Sequence, residues 1–489
     1  MDDLLKLHTL AGMPDALAHN VLAHLINLSG DGGRLDGARH AIDLAATAPV
    51  PGDANARARL NYFISNAWAI VHDLAEGRSN WNFESEGLSR QIYYLRCALR
   101  DNPTDPTHLY PQILTNLGNA FSELGRVVEA LALWDRALDA DPSFGMALGN
   151  RGMGRVHYAN SLGDDGLKIP MLVLAHRDLV EAQRLPLDTD ADKVFRRYQL
   201  QLEANVRERC LGNCAVANGR SADLEADVQG DEAAYRRWCV INRLYLNPFN
   251  DFATTPRATG DRLRVPPRRS RTAAGLRLRG FYNRLKRELA AARRLLHEGL
   301  AAGVLPDLDD EVVPSGERDG AEYSAAAEKL RCAFRILYGL FDKMAVVLND
   351  HLRLGIPEDR VWFKRFWYVG ERRARGLKPV FASPPVWPLR GLFWLSKDLV
   401  EDPEDVADTL EPDAQELGVV RNFLEHRFLT VHRDGWVRPF ACDPACDAEY
   451  GITQTDLQRK VLRLAQMARA GLIYLSLTVF EPRDIGISA

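Results

Sequence analysis

Residues 111–144, PQILTNLGNAFSELGRVVEALALWDRALDADPSF, restrict the fold of this chain more than any other stretch. Apolar residues recur there with a helical period on both sides of Gly125, which predicts two helices joined by a tight turn. Gly118 and Ala130 are small where the paired helices must cross closely, while Leu117, Phe121 and Trp134 are large enough to fill the space between them. Pro142 cannot continue the second helix. One such hairpin cannot bury its own apolar face, so neighbours of the same kind are required. Weaker copies exist. Residues 33–45 carry Ala38 and Ala45 in the small positions, and 87–103 carry Ala98 and Pro103. A first helix over 147–158 with Gly152 pairs with a second over 171–185 that has Ala175 and Ala182. The reading is about four repeats within residues 1–220.

Leu114, Leu117, Gly118, Phe121, Gly125, Ala130, Trp134, Ala137 and Pro142 together resemble the tetratricopeptide repeat. That resemblance implies a concave surface binding a peptide, protein or nucleic acid, against the plainer alternative of a scaffold that only presents the rest of the chain.

Beyond Arg220 the repeat pattern fades. One more helix is expected over 234–245, followed by the proline- and arginine-rich 247–271, which reads as loop. Residues 221–271 are therefore taken as a connector and 272–489 as a second unit. Helices are expected there over 276–300, 321–352, 414–432 and 457–479, enough for a bundle. The fold class is all-α: a tetratricopeptide-like array followed by a helical bundle. Residues 361–394 hold many aromatics; base stacking is conceivable, but burial beneath a long loop is preferred for side chains of this size.

At 489 residues the chain exceeds one core. A net charge of −4 names no partner, whereas its distribution is uneven. Thirteen basic residues between Arg257 and Arg294 face only Asp261 and Glu288, Lys364 to Lys378 is basic again, and 401–416 is acidic. Such segregation fits either a polyanion-binding surface or charges matched within the molecule. Seven cysteines without a framework indicate a reducing compartment, and the pairs Cys210/Cys214 and Cys442/Cys446 lack zinc-site spacing. No signal peptide and no apolar run of membrane-spanning length is evident, so a cytoplasmic protein with no membrane partner is expected.

The chemistry-bearing segment is AQELGVVRNFLEHRFLTVH, residues 414–432. Asp413 and Glu416 suit a capping box. Val420, Leu424 and Phe428 form an apolar stripe, while Asn422 and His426, four apart, share a polar face that Arg421 can reach across. Arg421 followed by Asn422 and, after four intervening positions from the arginine, His426 resembles the Arg-x4-His signature of the HEPN ribonuclease superfamily. The looser pairs Arg34/His40, Arg151/His157 and Arg427/His432 fit less well. The resemblance implies Arg421 and His426 as catalytic residues with Asn422 in support, an RNA substrate, a homodimer through the bundle, and a toxin or anti-phage defence role. Arg427, His432, Arg284 and Arg287 are further candidates for RNA contact. An imidazole can exchange protons near neutral pH and a guanidinium can grip two phosphate oxygens, so no metal or cofactor is required. The rival reading is a non-enzymatic repeat adaptor that binds RNA, peptide or protein.

Overall fold

The computed structural model describes residues 2–77, 83–101, 109–210, 230–252, 256–265, 273–300, 324–381, 387–399, 414–435 and 448–479. Asp413, the polar break 303–320, the acidic run 401–413 and the side chains of Cys210, Cys214, Cys442 and Cys446 lie outside the described parts. Among the described residues the architecture is all-α but for one two-stranded sheet.

The first half is a procession of helices: α1 (Asp15–Asp31), α2 (Leu35–Ala45), α3 (Ala54–Val71), α4 (Glu86–Asp101), α5 (Leu109–Glu123), α6 (Val127–Ala140), α7 (Gly145–Ser161), α8 (Asp165–Ala182) and α9 (Thr189–Cys210). Each packs mainly on its neighbours in the chain, the arrangement of a stacked helical array. The small residues act as their spacing suggests. A Cβ on Gly118 meets the Trp134 indole nitrogen at 2.7 Å, so nothing larger fits the α5–α6 crossing. Leu117, Phe121 and Trp134 are buried. Arg151 joins Asp135 and Asp178 across α6, α7 and α8 at 2.7 and 2.8 Å.

The predicted loop after the array is more structured than its composition suggests. α10 (Asp231–Ile241) is followed by short 3-10 turns at Pro248–Asp251 and Pro256–Ala258. Asn247, Asn250 and Asp251 are buried. Asp251 pairs with Arg469 at 2.6 Å and accepts a hydrogen bond from the Tyr158 hydroxyl at 3.2 Å. Proline and arginine content signalled irregular backbone correctly, but buried ion pairs pin that backbone.

The second unit comprises α11 (Ala273–Leu300), α12 (Ala325–Leu352), α13 (Trp387–Ser396), α14 (Ala414–His426) and α15 (Gln454–Thr478), with strands β1 (Phe428–His432) and β2 (Glu449–Thr453) paired in parallel. Every residue from Met467 to Thr478 of α15 is buried, because this helix has the bundle on one side and the array on another. The Tyr474 hydroxyl donates to Glu129 at 3.2 Å and accepts from the Val128 N–H, also at 3.2 Å. A continuous apolar core runs from Phe83 to Val479, and a smaller cluster joins α1, α2 and α3. Most of the aromatics between 361 and 394 pack as expected: Phe363, Phe366, Trp367, Phe381, Phe393 and Trp394 are buried together with Phe83 of the first half, whereas Trp362 is exposed.

At the seam between array and bundle, Gly125 has φ +83° and an added Cβ would sit 2.0 Å from the Trp387 carbonyl oxygen. Both the left-handed turn and the close approach demand glycine there. Beside it, a short π-helical turn (His72–Glu76) ends α3. The buried His72 ring faces Glu76 at 3.0 Å, Glu123 at 2.8 Å and the Ser85 hydroxyl at 3.1 Å, while Arg390 of α13 donates to the Glu123 carbonyl at 3.1 Å. Burial by itself lowers the pKa of this imidazole, but hydrogen bonding and attraction to Glu123 and Glu76 outweigh it and raise the pKa above the ordinary value of 6.5. A folded-state pKa raised in this way stabilises the fold fully below pH 6.5, and that contribution fades as pH climbs through the raised value. The unfolding midpoint is therefore expected to fall as pH rises above 6.5, and His72→Gln should flatten that part of the profile. Thermal denaturation of both proteins across this range checks it; equal slopes would refute the assignment to His72.

Candidate active site

α14 is amphipathic and its apolar side does the packing. Leu417, Val420 and Leu424 are buried, and Phe423 lies against Tyr450 of β2 with ring centroids 5.5 Å apart. Glu416 in its first turn pairs with the buried Lys460 of α15. The helix stops at His426, and residues 428–432 form β1 instead of the continued helix expected from sequence. Phe428, Thr430 and Val431 favour strand, and pairing with β2 decides the outcome. As a result Phe428 leaves the apolar stripe assigned to it and is 74% exposed.

α12 supplies the platform beneath the polar face. Arg331, Arg335, Tyr338 and Asp342 are spaced so that all four lie on one side of that helix. Arg335 donates to the Leu424 carbonyl and lies 3.7 Å from the Glu425 carboxylate; Arg331 donates to the Leu429 carbonyl at 2.7 Å. The Leu424 carbonyl is one that the end of α14 leaves without a helical partner, and the Leu429 carbonyl belongs to β1. The Arg421 guanidinium stands 5.8 Å from the centroid of the Tyr338 ring and donates to the Asn422 side-chain oxygen at 3.0 Å. Below it, Asp342 accepts the Phe363 N–H at 2.9 Å. Burial pushes the Asp342 carboxyl above the usual carboxylate range, with the Phe363 N–H and the Arg421 charge acting the other way.

Arg421 is half-buried, and Asn422 and His426 are exposed. Among the described residues Arg421 makes no ion pair, and His426 has neither a hydrogen-bond nor an ion-pair partner. Two acids of the same helix are engaged elsewhere, Glu425 with Arg335 and Glu416 with Lys460. Arg427 is also exposed, with its guanidinium 5.3 Å from the Phe423 ring centroid. His432 is buried at the end of β1.

Arg284 and Arg287 are exposed on α11. That helix meets α12 through Lys343–Glu288 and Lys329–Glu298 pairs and through Gly299 against Leu330, on the side of α12 turned away from Arg335 and Tyr338. Much of the basic run around them is matched within the molecule. Arg293 pairs with Asp261, Arg294 with Glu232 and Arg277 with Asp350, while Lys286 donates to the Asp261 and Leu263 carbonyls. The supports missed from sequence are Arg331, Arg335, Tyr338 and Asp342; their regular spacing in a helix otherwise striped with Leu and Phe was the available signal.

Among the described residues no group of three or more His, Cys, Asp or Glu is placed to hold a metal, and no helix is long and apolar enough to cross a membrane. Cys97 and Cys239 are buried thiols and Cys332 is exposed.

Residues 270–481 match the family model described as LA2681-like HEPN, and that span encloses α11 to α15. The match supports a nuclease function of HEPN type for this part of the chain. Comparison with curated proteins and with solved structures returned no match.

Proposed function

We propose that this protein is a metal-independent endoribonuclease of HEPN type whose site is built on Arg421, Asn422 and His426, with Arg427 close by for RNA contact. The observation that carries the reading is the state of those side chains. On a bundle whose span matches a HEPN model, α14 carries a half-buried arginine without an ion pair among the described residues and, five residues on, an exposed histidine without a partner. Surface cations ordinarily find carboxylates when carboxylates are near, and here the adjacent Glu425 is paired with Arg335.

In the proposed reaction the RNA 2′-oxygen attacks the adjacent phosphorus, its proton passes to a base, and the bond from phosphorus to the 5′-oxygen breaks. The leaving oxygen takes a proton, giving a 2′,3′-cyclic phosphate and a 5′-hydroxyl. His426 is the proton carrier. Arg421, steadied by Asn422 and the Tyr338 ring, stabilises charge on the non-bridging oxygens. Pairing of two bundles about a two-fold axis would put a second Arg–His set in the same cleft, so that one imidazole accepts while the other donates. The helical array is the proposed sensor, binding a peptide, protein or nucleic-acid ligand, and the setting is a toxin or anti-phage defence system.

The test is cleavage of several RNAs by the purified full chain in excess chelator, with product ends analysed. Cyclic phosphate ends, and loss of cutting where the 2′-hydroxyl is replaced by hydrogen, are the expected results. Cleavage only with added metal, or products bearing 3′-hydroxyl ends, would overturn the reading.

A further inference from the structure

We infer that Phe428 is a stacking platform for an unpaired base next to the scissile phosphate, so that the substrate is single-stranded where it is cut. The inference rests on the ribonuclease reading above and adds the form of RNA recognised.

Phe428 is 74% exposed, whereas the next most exposed Phe or Trp among the described residues, Trp362, is 41% exposed. Its backbone is held in place all the same. The Phe428 N–H donates to the Ala448 carbonyl at 3.0 Å, and the residue opens β1 in register with Glu449. Strand alternation turns Leu429 and Val431 inward and leaves Phe428 on the outer face with Thr430, which is tied to Glu449. An aromatic ring is thus presented to water from fixed backbone, where a polar residue would suit an outer strand position better.

Position and charge identify what the ring meets. Phe428 follows His426 by two residues, so their Cα atoms are within about 7 Å of each other. Arg421, His426 and Arg427 stand in the same short segment; Glu425 is paired with Arg335, and the one carboxylate opposite Phe428 in the strand register, Glu449, accepts a hydrogen bond from Thr430. An exposed ring in a segment that carries two arginines and a histidine is a combination suited to single-stranded nucleic acid: charge attracts the backbone, and the π-face takes any base. A duplex hides its base faces and gains nothing from such a ring.

The experiment measures binding of a fluorescent, fully 2′-O-methylated oligonucleotide, which lacks the attacking hydroxyl, to the full chain by anisotropy. Wild type, Phe428→Ala and Phe428→Trp are compared, with a hairpin duplex of the same length as second ligand and sedimentation to record oligomeric state. Loss of about 10-fold or more in single-strand affinity is expected for Phe428→Ala. Phe428→Trp should retain wild-type affinity, and neither variant should change duplex binding. Equal affinity of Phe428→Ala and wild type overturns the inference. So does a changed oligomeric state in Phe428→Ala, which would make the ring a contact between copies of this chain. Single-strand binding that depends on Phe428, in a protein that leaves unmodified RNA intact, upholds the platform and removes the ribonuclease reading. Cleavage unaffected by Phe428→Ala does the reverse.

Discussion

His426→Ala is expected to lower the rate of RNA cleavage by about 10²- to 10⁴-fold, the range that a positioned acid or base contributes. Folding should be nearly untouched. The side chain is exposed and has no partner among the described residues, so the change in stability should stay within about 0.5 kcal/mol. Arg421→Ala is expected to cost about 10²- to 10³-fold, in line with removal of a group that stabilises transition-state charge. Arg421→Lys should rescue little, since an ammonium cannot hold two phosphate oxygens in a plane. Single-turnover cleavage beside thermal unfolding measures both quantities. If both alanine variants cut RNA at the wild-type rate, Arg421 and His426 are surface residues and the cleavage is carried by other groups.

Asp398→Ala is expected to destabilise the protein by about 3–5 kcal/mol, the loss typical when one member of a buried ion cluster is removed. The Asp398 carboxylate, just beyond α13, has no exposed surface. It takes Arg96 of α4 through two hydrogen bonds of 2.6 and 2.8 Å, and Arg126 at the start of α6 at 2.5 Å. Arg126 is equally buried, pairs also with Glu129 and lies 4.3 Å from the Phe121 ring centroid. Burial opposes the charge on Asp398, yet Arg126 and Arg96 outweigh it and hold the carboxyl far below the usual carboxylate range. Alanine would take the shared carboxylate away from two buried guanidinium groups, leaving Arg126 with Glu129 and the Trp394 carbonyl. Denaturant unfolding followed by far-UV circular dichroism measures the loss. A change below about 1 kcal/mol would mean that water reaches the seam and satisfies both arginines.

That cluster also marks the limit of what could be read from the chain. Arg96 and Asp398 are 302 positions apart, and nothing local distinguishes either from a solvated charge. The basic run around Arg293 illustrates the same limit. Its density suggested a surface for a polyanion, whereas Asp261, Glu232 and Asp350 absorb several members. Helix 414–432 was expected to continue through Phe428, and strand pairing with residues far along the chain ended it at His426. Arg331, Arg335, Tyr338 and Asp342 passed unnoticed because a polar line on a long helix reads as a wet face until another helix is laid across it.

What the chain determines unaided is the part encoded within a turn or two of backbone. Gly118, Ala130 and Trp134 specify a close helix crossing, Gly125 and Pro142 punctuate it, and the period of Leu417, Val420 and Leu424 sets which side of α14 is buried, leaving Asn422 and His426 exposed and Arg421 half-buried at the edge. Tertiary structure alone decided which charges are consumed in pairs, where α14 ends, and that Phe428 stands in solvent two residues past His426. The physical reason is range. Apolar periodicity acts between neighbours on one helix, whereas a charge is matched or left unmatched by whichever distant segment the packing brings beside it.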